Sequence, residues 1–130
     1  MGAAIDETKW PLVTVRWEGV MTDAALSGFL VQIDTWLDRG QPFGLLLDAR
    51  GAQGFSPEQR ARVISHMKQR AALTAKLLFQ ATVIDNLVQR TLFYGINLIF
   101  PNPFPSKVFG DLAPAHTWLS SMLAPVTPGR

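Results

Sequence analysis

Leu45, Leu46 and Leu47 follow one another without alternation, bounded by Gly44 and Asp48. A short apolar run closed at both ends fits a strand covered on both faces. Two covered faces require helices on both sides, which points to a parallel or mixed α/β sheet. The stretch from Phe43 to Met67 carries the pattern further. After Asp48-Ala49-Arg50 and a glycine-containing loop come Ser56, Pro57, Glu58 and Gln59. Ser56 suits an N-cap, Pro57 the first helical position and Gln59 the third, which completes a capping box. A helix start just beyond the carboxyl end of a strand is where open α/β sheets bind ligands, and its free N–H groups favour an anion.

The rest of the chain supplies the layers. Ala3 to Ile5 is short enough for an edge strand, joined to the next through Asp6-Glu7-Thr8-Lys9. From Leu12 to Trp17 the residues alternate, with Val13, Val15 and Trp17 on one face, as in a half-exposed strand near the sheet edge. Thr22 caps a helix whose stripe is Leu26, Phe29, Leu30, Ile33, Trp36 and Leu37, and Gly40 stops it. The helix that starts at Pro57 is expected to bury Ala61, Ile64, Met67, Ala71, Thr74 or Ala75, and Leu78, and to end between Thr74 and Phe79. Its outer face would carry Arg62, His66 and Arg70 in line, either solvated or open to an acidic partner. Ala81 to Asp85 reads as a short buried strand, and Asn86 as the cap of a helix from Leu87 to Phe100. That helix is apolar nearly all round, so it wants cover on every side, more than one sheet provides. Pro101, Pro103 and Pro105 force an extended segment before a last strand at Ser106 to Phe109. Asp111 would cap a final helix with Leu112, Ala115, Trp118, Leu119, Met122 and Leu123 inward, and residues 124–130 would form a frayed tail.

Composition narrows the classes. A chain of 130 residues is expected to be one domain, 1–130, with its core at about 10–123. Cysteine is absent, which removes disulfides and thiolate chemistry and, with no signal-like start, suggests a cytoplasmic protein. A net charge of +2 is too small to argue for nucleic acid, and no apolar run is long enough for a membrane span. Neither His66 nor His116 has a second ligand at metal spacing, so no metal or other cofactor is expected. Asp48 and Asp85 end neighbouring expected strands and could form paired carboxylates, although such aspartates more often cap turns.

The order ββαβαβαβα resembles the STAS domain (sulphate transporter and anti-sigma-factor antagonist), and more closely the bacterial SpoIIAA-like proteins. The phrases that carry it are Leu47-Asp48-Ala49-Arg50-Gly51, Val83-Ile84-Asp85-Asn86 followed by Arg90, and Pro103-Phe104-Pro105 before Val108-Phe109. The resemblance implies a mixed, mostly parallel sheet of four to five strands flanked by four helices. It also implies a switch serine at the helix start after the central strand, within an Asp-Ser-Ser/Thr-Gly phrase. Here that region reads Gly54-Phe55-Ser56-Pro57-Glu58, so Ser56 is in about the right place but the phrase is missing.

These observations lead to a non-enzymatic regulatory or protein-interaction module. It would bind a partner, or a second copy as a dimer, through Arg90, Phe93, Tyr94, Asn97, Phe100 and Phe104. Ser56 is the candidate phosphorylation site, and Arg50 with Arg60 the candidate anion site. The alternative is a small-molecule or lipid carrier of CRAL-TRIO-like architecture. A third option, weaker than either, is an enzyme that uses Asp48 and Asp85.

Overall fold

The computed structural model describes residues 2–53, 56–91 and 104–124, without the side chains of residues 2 and 3. Five strands form one sheet in the order β1-β2-β3-β4-β5: Gly2–Asp6, Leu12–Gly19, Phe43–Ala52, Leu78–Val83 and Ser106–Phe109. β1 runs antiparallel to β2, and every other pair is parallel. The helices are α1 (Asp23–Asp38), α2 (Pro57–Gln69), α3 (Ala71–Leu77), a segment α4 whose described part is 87–91, and α5 (Leu112–Leu123).

The leucine run divides between two cores. Leu45 packs with Val13, Val15 and Trp17 of β2 and with Leu26, Phe29, Ile33 and Trp36 of α1. Leu46 points the opposite way, into a smaller core with Ala81, Val83, Ala115, Leu119 and Leu123. Period-two alternation along β3 thus sends Leu45 and Leu47 to one face and Leu46 to the other, and both faces are apolar because both are covered. Leu47 is half-buried against the larger core. Gly44 explains how α5 lies so close: a Cβ there would sit 3.1 Å from Leu123 Cδ1 and 3.2 Å from Leu119 Cδ2.

The local rules for α1 hold in full. Thr22 Oγ1 accepts from Ala25 N at 3.1 Å, and the six stripe residues are its buried residues. Gly40 takes φ +75°, the left-handed turn that ends a helix without a Cβ penalty. β5 spans the expected four residues, and β3 runs two residues past Arg50. β2 lies second from the edge, inside β1.

Three expectations need correction. The helix after β3 is two pieces, broken at Arg70 (φ −120°, ψ 30°), so five helical segments stand where four were expected. The break shifts the helical phase. Met67, Thr74 and Leu77 are buried, whereas Ala61 and Ala75 are exposed. β4 starts at Leu78, three residues earlier than expected, and ends before Ile84 and Asp85. The last helix buries Ala115, Leu119 and Leu123, while Leu112 is exposed and the Asp111 side chain makes no cap hydrogen bond.

The line Arg62, His66 and Arg70 faces neither solvent alone nor a foreign acid. It meets α1. Arg62 donates to Ser27 Oγ, His66 Nε2 lies 3.0 Å from Asp34 Oδ1, and Arg70 reaches Asp34 at 3.1 Å and Asp38 at 2.8 Å. The polar seam joins the two helices over the larger core.

Candidate functional site

Parallel strands bring every following helix start to one end of the sheet. Asp23, Pro57, residue 87 and Leu112 all open helices at the carboxyl end of β2 to β5. That end is where open α/β sheets place ligands and partners.

The start of α2 is built as the sequence suggests. Ser56 Oγ accepts from Gln59 N at 3.0 Å, and Gln59 Oε1 accepts from Ser56 N at 3.0 Å. Gln59 does more than close the box. Its Nε2 donates to Met21 O at 2.9 Å and to Asp23 Oδ1 at 3.0 Å, so one buried amide ties the start of α2 to the start of α1. Sequence reasoning missed that second role, since the partner carbonyl is distant in the chain. The Ser56 side chain is exposed and serves as the cap. Ser56→Ala is expected to lower stability by ~1 kcal/mol, while Ser56→Asp, itself a good cap, stays near wild type. Urea unfolding midpoints measure both.

Asp48 and Arg50 form the charged centre of this end. Arg50 Nε donates to Asp48 Oδ1 at 2.8 Å and Nη2 to Oδ2 at 2.9 Å, a two-pronged pair between residues on one strand. Arg50 N also donates to Oδ1, at 3.3 Å. Asp48 is only 4 % exposed, and Arg16 of β2 stands 3.9 Å away on the solvent side. The register explains the reach. Arg16 pairs with Asp48 but Glu18 with Gly51, so β3 carries an extra residue beside the pair. Asp85 and Asp111 add weaker attraction on Arg50.

The hydrogen bonds from Arg50 hold the Asp48 carboxyl below the ordinary carboxylate range, against the opposing effect of its burial. A group whose folded pKa is depressed stabilises the fold above its unfolded pKa and loses that contribution as pH falls through the folded value. Asp48→Asn is therefore expected to cost ~1–3 kcal/mol at neutral pH. The gap to wild type should begin to narrow below about pH 4, as the unfolded chain takes up its proton, and should close once pH falls below the depressed folded value. Urea midpoints across pH record it.

Arg90 adds the third cation. Asn86 Oδ1 accepts from Gln89 N at 3.0 Å and caps α4 as expected. Arg90 then lies over Gly110, where a Cβ would collide with its Nη1. Leu87 and Val88, on the same first turn, are 68 % and 69 % exposed.

Several expected site residues are placed elsewhere. Arg50 gives Nε and Nη2 to Asp48, so its guanidinium is already paired with a carboxylate of its own strand. Asp48 lies inside β3, and its side chain accepts from its own backbone two residues on, at Arg50 N, as well as from the Arg50 guanidinium. Asp85 is exposed, not a second buried carboxylate. Phe104 is 7 % exposed and belongs to the larger core, so it offers no outer surface. Phe93, Tyr94, Asn97 and Phe100 lie outside the described residues. Among the described residues no helix is long and apolar enough to cross a membrane.

The architecture is the SpoIIAA-like, STAS-like α/β fold. One similar structure is an uncharacterised DUF3478-family protein with a SpoIIAA-like fold from Shewanella loihica: 15% identity, 91% of this chain and 92% of that one, TM-score 0.66. Another is the anti-sigma factor antagonist SpoIIAA in its unphosphorylated form: 12% identity, coverage 90% and 94%, TM-score 0.60. A third is an anti-sigma factor antagonist from Mycobacterium paratuberculosis: 14% identity, coverage 90% and 92%, TM-score 0.51. No family model matches the sequence, and no curated protein matches it.

Proposed function

We propose that this chain is a non-catalytic regulatory module of STAS type that acts in the cytoplasm by binding a protein partner. The observation that carries the proposal is the fold, similar over 90% of the chain to an anti-sigma factor antagonist. The carboxyl end of the sheet supports it. Asp48 is held ionised by Arg50, which suits a structural acceptor and not a proton donor. Beside it, exposed Leu87 and Val88 offer an apolar anchor next to Arg90, a combination suited to a protein surface. Ser56 is where such a module would be switched, because a phosphoryl group there would add charge to a helix start.

A photo-crosslinking residue at Val88, compared with one at exposed Ser120 on α5, tests the reading in the native host. A discrete protein adduct from position 88 and none from 120 is expected. No adduct from 88, or the same adducts from both, overturns it.

One observation favours a second reading, a carrier of a small apolar molecule with a hydrogen-bonding head. Gln80 and Thr82 are buried polar residues on β4, and Ser106 is the register partner of Gln80 on β5. Gln80 Nε2 donates to Thr82 Oγ1 at 3.2 Å, but Ser106 Oγ is buried with no partner among the described residues. A buried orphan hydroxyl calls for a water or a ligand. Native mass spectrometry of the protein purified from cells would reveal a retained small molecule. A bare chain mass removes this reading.

A further inference from the structure

α1 and α2 are anchored in different ways. α1 buries Leu26, Phe29, Leu30, Ile33, Trp36 and Leu37. α2 buries one apolar side chain, Met67, with Val63 half-buried against the larger core. What ties α2 down is polar, and it comes turn after turn from α1. Gln59 Nε2 donates to Met21 O and Asp23 Oδ1, and Arg62 donates to Ser27 Oγ. His66 Nε2 lies 3.0 Å from Asp34 Oδ1, and Arg70 reaches the same oxygen at 3.1 Å and Asp38 at 2.8 Å. Beyond Arg70 the anchoring changes again. Thr74 and Leu77 of α3 are buried, and Leu78 begins β4 at once. The helical path breaks at Arg70 itself (φ −120°, ψ 30°), between the part fixed to the sheet and the part that is not. Contacts between partly exposed charges contribute little each and weaken with salt. Elements with few buried apolar contacts open at lower cost than the whole fold.

We propose that α2 is a strap that opens from α1 as a unit, while the sheet, α1 and α5 stay folded. Arg70 is its hinge and its latch together. Asp34 is the post the latch closes on, since one of its oxygens meets both His66 and Arg70. Closed, the strap covers Met67 and the part of the larger core against which Val63 packs. Open, it bares that apolar surface and carries the Ser56–Gln59 box away from Met21 and Asp23. Ionic strength and the charge at Asp34 set how often it opens. The device does not rest on the proposed function, because its contacts involve neither Leu87 nor Val88.

Native-state hydrogen exchange of the whole chain, followed at low urea concentrations, separates this opening from global unfolding. Amides of α2 should exchange through an opening with a shallow urea slope, and those of β3 through global unfolding with a steep one. Raising NaCl from about 0.05 M to about 1 M should speed α2 exchange about fivefold, and Asp34→Asn should do the same at low salt. The salt comparison needs no variant. Leu46→Val supplies the control, because Leu46 packs in the smaller core with α5, which persists in the open form. It should speed β3 exchange and leave α2 exchange unchanged. Amides of α2 that share the β3 slope overturn the proposal. So do α2 amides that fail to respond to salt or to Asp34→Asn, or that speed up with Leu46→Val.

Discussion

Leu45→Ala and Leu46→Ala are each expected to remove ~2–5 kcal/mol of stability, and their losses should add. The two side chains are 0 % and 3 % exposed, yet they share no core. Leu45 is packed among α1 and β2 side chains, and Leu46 among those of α5 and β4. Each truncation leaves a separate cavity that its neighbours fill only in part. Residues adjacent in sequence but independent in packing should behave as distant sites do, additive to about 0.5 kcal/mol. Denaturant unfolding of the two single variants and the double measures this. If the double falls outside the stable range, Leu45→Val and Leu46→Val test the same additivity at ~1 kcal/mol each. Strong coupling between them would mean a single core. Leu47→Ala, at a half-buried position, should lose less than either.

Trp36→Ala should cost ~3–5 kcal/mol, the largest loss on α1. The indole is wholly buried and meets Phe43 edge-on at 6.1 Å. Phe43 stacks on Trp10 at 5.4 Å, and Arg39 lies 4.2 Å over Trp10. Arg39 is in turn held by Glu7 at 2.9 Å. Removing the indole therefore strips the inner member from a column that ties the C-terminal end of α1 to the hairpin between β1 and β2. The Trp36 N–H finds no partner among the described residues. An unsatisfied buried donor is itself costly. Trp36→Phe removes that donor with the ring area it gives up, so its loss should be well under half that of Trp36→Ala. A near-equal loss for the two would show that the N–H is satisfied and contributes.

How far the sequence reveals the fold depends on whether a signal is local. For α1, cap, stripe and stop lie within twenty residues and agree, and each is observed. β3 was legible for a different reason, since three leucines in a row have no solvent face to offer. Where α3 meets β4, the sequence Leu77-Leu78-Phe79 has no Gly or Pro to punctuate it, and its apolar residues suit a helix or a strand. The strand is set there by pairing with Phe43 to Asp48, which is a tertiary cause. The break at Arg70 is likewise unmarked, and it moved the buried stripe.

The site divides in the same way. The Ser56–Gln59 box and the Asn86 cap are contiguous motifs, and both form. Asp48 and Arg50 stand two apart, the spacing that puts side chains on one face of a strand, so their pairing was readable once β3 was taken to run past Arg50. The seam of Arg62, His66 and Arg70 with Asp34 and Asp38 could not be read from α2 alone. Two helices from separate parts of the chain have to be laid side by side before the charges meet.

The central claim is that the carboxyl end of this sheet is a protein-binding surface. Backbone amide shifts of the isotope-labelled chain, titrated with the protein captured from position 88, test it most directly. Shifts should concentrate at Arg16, Arg50, Ser56 to Arg60, Leu87 to Arg90 and Gly110, and leave Trp10, Arg39 and Phe43 at the opposite end unmoved. Shifts centred on that opposite end, or spread without pattern over the whole sheet, would contradict it.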